Sequence, residues 1–399
     1  MTMAGTERQG LSIPLLEMGF RPFYLLAALS AGLAVPLWLA NFAGLLQGGS
    51  YLTGATWHSH EMLFGFAAAV ITGFLFTAAA NWSGRRTPRG AVLAGFAVLW
   101  LLGRVLVVTG PGLLAAIVDV LFLPLAALAV AIPLLRSGNR RNLFVVAILL
   151  LLGTANALFH LEQLFPSQAL DLGAFAVRLS VDVIAILMAV IGGRIIPVFT
   201  ANAVPDARPV RLMPIESLAI LSLLAIAVVD VLEPWRPIGE TLLAVLLCFA
   251  ALLHGLRVLL WAPWSTRREP LLWILPLSYA WIPIALALRG ASLVFEEVPP
   301  LLSLHAMTVG AMGGLMLAMM MRSSRGHTGR ALSASGPETL ALVLVPLAAV
   351  TRVFPALFWP EASLTFLTIS AVCWSASFLI FFGLYWPILT RPRADAGTA

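Results

Sequence analysis

Two histidines flank a serine in His58-Ser59-His60, and an acid, Glu61, follows at once. The other four histidines are His160, His254, His305 and His327. Imidazole is the usual protein ligand for transition metals and for haem iron. His58, His60, His160 and His305 are therefore candidate metal ligands, and His254 is a further one. Residues two apart on a regular helix point about 200° apart. His58 and His60 are thus not expected to chelate one ion together unless the helix starts after His58. One would serve a first metal, the other a second metal or a hydrogen bond. Glu61 is three residues from His58 and is placed to orient it as a carboxylate behind a ligand. A single histidine at a helix end is usually a packing residue. Four at one depth point to a site.

Other chemistry-bearing residues read less sharply. Met312, Met316 and Met320 recur at helical spacing and would suit Cu(I), although methionine also fills gaps in packed helices. Arg178 and Asp182 stand at i, i+4, as an ion pair or as part of a proton path. Asp119 and Glu61 are further candidate proton carriers, since a buried carboxylate can titrate near neutrality. Arg194, in Gly192-Gly193-Arg194, is a candidate partner for a carboxylate of a cofactor or for another anion, or a snorkelling side chain. His327 reads as part of a polar turn. Cys248 and Cys373 lie in apolar runs and form no disulfide framework or CxxC signature.

The elements that must position these groups follow from composition. Hydrophobic residues make up 60% of the 399 and charged ones 11%. A soluble domain carries about 25% charge. Here the charges gather between long apolar runs, and about 20 apolar residues suffice for a helix to cross a bilayer. Unpaired backbone groups find no partner in lipid, so such runs must be helical. The fold class is therefore all-α and polytopic in a lipid bilayer, as a single transmembrane domain over 1–399. Twelve spans are expected near 20–42, 57–80, 90–109, 112–135, 142–164, 174–200, 213–232, 237–261, 271–293, 299–321, 336–358 and 363–389. The polar first 19 residues make a poor signal peptide, and the first run reads as a retained helix.

All basic residues are arginine, and they sort by loop. Arg85, Arg86 and Arg89 follow span two, and Arg136, Arg140 and Arg141 follow span four. Arg208 and Arg211, Arg267 and Arg268, then Arg322, Arg325 and Arg330 follow spans six, eight and ten, and Arg391 and Arg393 follow span twelve. The alternate loops hold almost none, with Arg236 the clearest exception. By the positive-inside rule both termini face the cytoplasm, and His58, His60, His160 and His305 lie near the outer face. The formal charge of +6 is spread over separate loops and forms no nucleic-acid surface.

An internal match suggests three units of four helices. His60-Glu61-Met62-Leu63-Phe64-Gly65 and His305-Ala306-Met307-Thr308-Val309-Gly310 share H-x-M-x-x-G, and Gly84-Arg85 aligns with Gly329-Arg330 at the same offset. Chance similarity between apolar helices is the competing explanation.

The chain resembles the NnrS family of bacterial membrane proteins. The resemblance rests on Arg21-Pro22-Phe23, Trp57 to Gly65, Asn81-Trp82-Ser83-Gly84-Arg85, Gly192 to Thr200, Tyr279-Ala280-Trp281, Leu304 to Gly310 and Gly326 to Arg330. It implies a haem- and copper-containing protein of the bacterial inner membrane, tied to nitric oxide, denitrification and nitrosative stress. Pro276 stands where many members are expected to have histidine, which makes His254 the nearest substitute for a cytoplasmic-side ligand. The architecture is also similar to haem–copper oxidases and nitric oxide reductases, with twelve helices in three arcs and haem ligands on helices two and ten. The histidine trio that binds copper in those enzymes is absent from spans six and seven.

These readings lead to an expected function. Haem, of b type, would sit between spans two and ten with His58, His60 and His305 as candidate iron ligands, and His160 as the best extra ligand for copper. The protein would bind nitric oxide and reduce or detoxify it as an oxidoreductase, with Glu61, Asp119 and Asp182 carrying protons and an unidentified donor supplying electrons. The alternatives are a transporter of copper or of an NO-derived metal complex, and a sensor without turnover.

Overall fold

The computed structural model describes residues 13–166, 171–233, 235 and 238–394. Residues 1–12, within the polar start of the chain, and Arg236 lie outside that set. The chain is 81% helical, with no strand among the described residues, and twelve helices can span a membrane. They are α1 (Phe20–Phe42), α2 (Gly54–Ser83), α3 (Gly90–Thr109), α4 (Gly112–Arg136), α5 (Arg140–Leu164) and α6 (Leu172–Ala203). The second half holds α7 (Met213–Leu232), α8 (Glu240–Leu260), α9 (Pro270–Ser292), α10 (Pro300–His327), α11 (Gly336–Phe358) and α12 (Pro360–Leu389).

Helix ends follow local chemistry. Gly84 closes α2 in the left-handed region at φ 64°, which costs a glycine little. Ser335 and Glu338 form a capping box at the start of α11. α9 carries Pro276 and is interrupted at Ala280, between Pro270–Tyr279 and Trp281–Ser292. α10 runs further than its apolar stretch suggests. Arg322 stacks 4.2 Å over Phe199, and His327 packs on Phe20 inside the helix rather than in a loop.

Most helices that are consecutive in the chain pack against one another around the bundle. α12 returns to pack closely on α1, so the ring closes. α2, α6 and α10 form the inside, with α6 touching both of the others. In their most apolar windows 89% of α2 and 72% of α10 is buried, against 22% of α3, which separates interior from lipid-facing helices. Val98, Leu101, Leu102 and Val105 on α3 remain exposed, as lipid contact requires. The H-x-M-x-x-G match has a structural counterpart. Immediately after His60 and after His305 the backbone widens into π-helical turns, Glu61–Ala67 and Ala306–Gly313. Such turns are rare and concentrate at functional sites.

Candidate functional site

Near the ends of α2, α5, α6 and α10 the inner helices diverge around a cavity of about 1140 Å³. It reaches the loops after α5, α7 and α9, at the end of the bundle opposite the arginine-bearing loops. Ordinary small-molecule sites occupy roughly 300–1,000 Å³. Its wall is largely apolar, and His58 from α2 and His305 from α10 both line it. The ring of Trp38 stacks on His58 at 4.5 Å, and His58 Nδ1 is buried without a hydrogen-bond partner among the described residues. His305 Nδ1 donates to the Leu301 carbonyl at 2.9 Å, which leaves the lone pair on Nε2. Arg352 of α11 also lines the cavity, is a charged neighbour of both imidazoles, and makes no ion pair among the described residues. Met307 and Met312 complete the α10 side.

His60 points the other way, into a closed polar cluster between α2, α3, α4 and α5. Its Nε2 lies 3.1 Å from both Asp119 Oδ2 and Asn156 Oδ1, and its Nδ1 lies 3.3 Å from Glu61 Oε1. His160 Nε2 also lies 3.1 Å from Asp119 Oδ2. Tyr51, in the loop before α2, meets His160 Nδ1 at 3.0 Å. Burial pushes the Tyr51 phenol up to about 12, so it keeps its proton at neutral pH. Arg104 of α3 bridges Glu61, at 2.8 Å, and Asp119. Two glycines make the room. A Cβ on Gly103 would stand 2.6 Å from Asp119 Oδ1, and one on Gly65 2.9 Å from Glu61 Oε2. Among the described residues, His60, Asp119 and His160 are the group that converges as metal ligands do.

The structure therefore divides the four histidines at this end of the bundle into two sites. His58 and His305 share the cavity, while His60 and His160 share the cluster. Glu61 orients His60 and not His58. Arg104 of α3 holds the Glu61 carboxylate at 2.8 Å, on the cluster side of α2 and away from the cavity that His58 lines.

Of the three candidate proton carriers, Asp182 alone lines the cavity. Among the described residues its Oδ2 is buried without a partner, and it lies beside Asp230. Arg289 clamps Asp230 with two bonds of 2.6 and 2.5 Å. The i, i+4 ion pair of Arg178 and Asp182 is absent among the described residues, although both line the cavity. Glu61 and Asp119 are held in the Arg104 cluster instead.

His254 and Arg194 lie elsewhere. His254 Nδ1 bonds Tyr279 at 2.8 Å and its Nε2 bonds the Ala219 carbonyl at 3.0 Å, so both ring nitrogens are committed. Arg257 joins Tyr279 to Glu216 beside it, packed against Gly193. Arg194 bonds Asn142 at 3.1 Å and stacks over Phe144, away from the cavity. Met316 and Met320 are buried in packing, and only Met312 of that set reaches the cavity.

Sequence reasoning missed Arg104, Asn156, Asp230, Arg289 and Arg352. The available signal was that ionisable residues inside apolar spans are rare and usually functional.

No curated protein matches the chain. A family model described as NnrS protein matches residues 14–393, which takes in all twelve helices and both histidine sites. The chain therefore belongs to the NnrS family, and is a multi-pass membrane protein linked to the nitric oxide response.

Proposed function

We propose that the protein holds haem in the central cavity and binds nitric oxide there, reducing it or otherwise removing it. The observation that carries this reading is the meeting of His58 and His305 on one apolar-walled cavity. The residues fit the group. His305 presents a free Nε2, Trp38 stacks on the ring of His58, and Arg352, which makes no ion pair among the described residues, is a cation suited to a propionate carboxylate. Bound haem would supply an iron that ligates nitric oxide and passes electrons to it.

The chain's own residues then have defined tasks. Reduction follows 2 NO + 2 e⁻ + 2 H⁺ → N₂O + H₂O, so protons must reach the cavity. Asp182, beside Asp230 and the Arg289 clamp, is the acid that can deliver them. The largely apolar wall admits an uncharged diatomic gas. Electrons come from an external donor. We place the protein in the bacterial inner membrane with both termini cytoplasmic, on the arginine distribution. The cavity then opens toward the outer side. Copper is proposed as a second metal apart from the haem.

Haem content and N₂O formation test this together. Purified, reduced protein supplied with nitric oxide is expected to contain haem and release N₂O. Haem without N₂O would reduce the role to binding or sensing. A second reading, copper transport, draws on Met307, Met312 and His305 in the same wall. It requires copper uptake by proteoliposomes and no haem.

A further inference from the structure

We infer that His60, Asp119 and His160 form a mononuclear site for a divalent first-row transition ion, with copper(II) the expected occupant, closed off from the cavity. The inference deepens the second-metal part of the functional reading and does not depend on haem in the cavity.

The first argument is hydrogen-bond demand. Every polar neighbour of His60 is an oxygen that accepts. Glu61 Oε1 faces Nδ1, while Asp119 Oδ2 and Asn156 Oδ1 face Nε2. The Asn156 amide cannot turn round to help, because its Nδ2 already donates to Asp119 Oδ2 at 2.8 Å. A neutral imidazole has one N–H. One of its nitrogens would therefore press a lone pair against buried oxygens, a costly arrangement. An ion at Nε2 or a second proton on the ring removes the conflict, and analysis of retained metal separates the two. With the ion, Nδ1–H donates to Glu61, and Asp119 Oδ2 faces the cation.

His160 fits the same scheme. Its Nδ1 meets a hydroxyl, Tyr51, which can donate or accept, so its Nε2 is free to offer a lone pair. Each candidate ligand thus has a partner behind it: Glu61 for His60, Tyr51 for His160 and Arg104 for Asp119. Metal-binding histidines are oriented in this way.

Charge and spacing agree. Glu61 and Asp119 carry two negative charges against the single positive charge of Arg104, which leaves one uncompensated in a buried cluster. The three ligand atoms lie within 4.8 Å of one another, with two separations of 3.1 Å. Ligands about 2.0–2.2 Å from a four-coordinate ion stand roughly 3.3 Å apart. Two imidazoles and a carboxylate without sulfur select copper(II), zinc or iron(II) over copper(I), and copper(II) binds such sets most tightly. Phe159 packs on His60 at 5.2 Å and also lines the cavity, so it stands with α2 between the two sites.

The test uses the full-length protein in detergent, loaded in turn with copper(II), zinc(II) and iron(II) and freed of loosely held metal. Elemental analysis should find one tightly held ion per chain, with copper retained best. The electron paramagnetic resonance spectrum of the copper form should show coupling to two imidazole nitrogens. Asp119→Asn and His160→Ala should abolish retention while haem content stays unchanged. Tyr51→Phe, which removes only a hydroxyl at the edge, should weaken retention about 10-fold. No retained metal in haem-replete protein would overturn the inference, as would copper that Asp119→Asn, His160→Ala and Tyr51→Phe all leave in place. Zinc or iron held more tightly by the same ligands would overturn the copper preference. Metal retained in protein that takes no haem would instead count against the cavity reading.

Discussion

His58 and His60 are two residues apart on α2 and serve different sites. His58 lines the central cavity under Trp38, and His60 is buried against Asp119 and Asn156. α2 is thus the wall between the two. Their substitutions should separate cleanly. His58→Ala should lower haem content and leave tightly bound metal in place, and His60→Ala should do the reverse. Haem and metal analysis of the two proteins, prepared side by side, checks this. Loss of both groups in both variants would mean that the sites are one.

Arg104 carries the electrostatics of the cluster. It bridges Glu61 and Asp119, both buried among apolar helices. Arg104→Met would leave two buried carboxylates without a cation. Breaking one side of a buried pair costs about 3–5 kcal/mol. The thermal midpoint in detergent should fall clearly below that of the parent. Asp119→Asn combined with Arg104→Met should recover part of the loss, because one of the stranded charges is gone.

Gly103 is a steric condition for the same cluster. Its Cβ position would lie 2.6 Å from Asp119 Oδ1, with the Asp119 backbone close behind. Gly103→Ala should therefore shift α3 away from α4 and release the Arg104–Asp119 pair, despite alanine's better helix propensity. The expected result is reduced stability and reduced metal retention together. A gain in stability would show that α3 and α4 separate without cost.

Asp182 provides a kinetic prediction. Asp182→Asn keeps the shape of the cavity wall and removes the acid. If Asp182 passes protons to the cavity, N₂O formation should drop on the order of 100-fold, while the nitric oxide difference spectrum stays unchanged. Asp230→Asn should show a smaller drop. Equal loss of binding and turnover would make Asp182 a structural residue.

Much of this arrangement was legible in the sequence. The twelve helices follow from apolar length, because lipid permits no other way of pairing backbone groups. The opposite facing of His58 and His60 follows from helix periodicity. The shared H-x-M-x-x-G pattern marked two places where the backbone widens. What could not be read was which lone polar residues meet. Arg104, Asn156 and Asp119 sit on three different helices, and nothing local records that α3, α4 and α5 bring them together. Arg352 and Arg289 have no acid within a helical turn in the sequence to mark them. Arg194 looked like the better anion partner because of its glycines, but those glycines make room for Arg257 and Tyr279. His254 looked available because a neighbouring position held Pro276. Its commitment to Tyr279 and to the Ala219 carbonyl depends on how α7, α8 and α9 pack.

The most direct measurement is the absorbance spectrum of the purified, dithionite-reduced protein before and after nitric oxide, with His58→Ala, His305→Ala and His254→Ala alongside. The account predicts a haem spectrum that nitric oxide shifts, lost or strongly altered in the first two variants and unchanged in the third. A haem spectrum indifferent to His58 and His305, or fully folded protein that takes up no haem when haem is supplied, would contradict it.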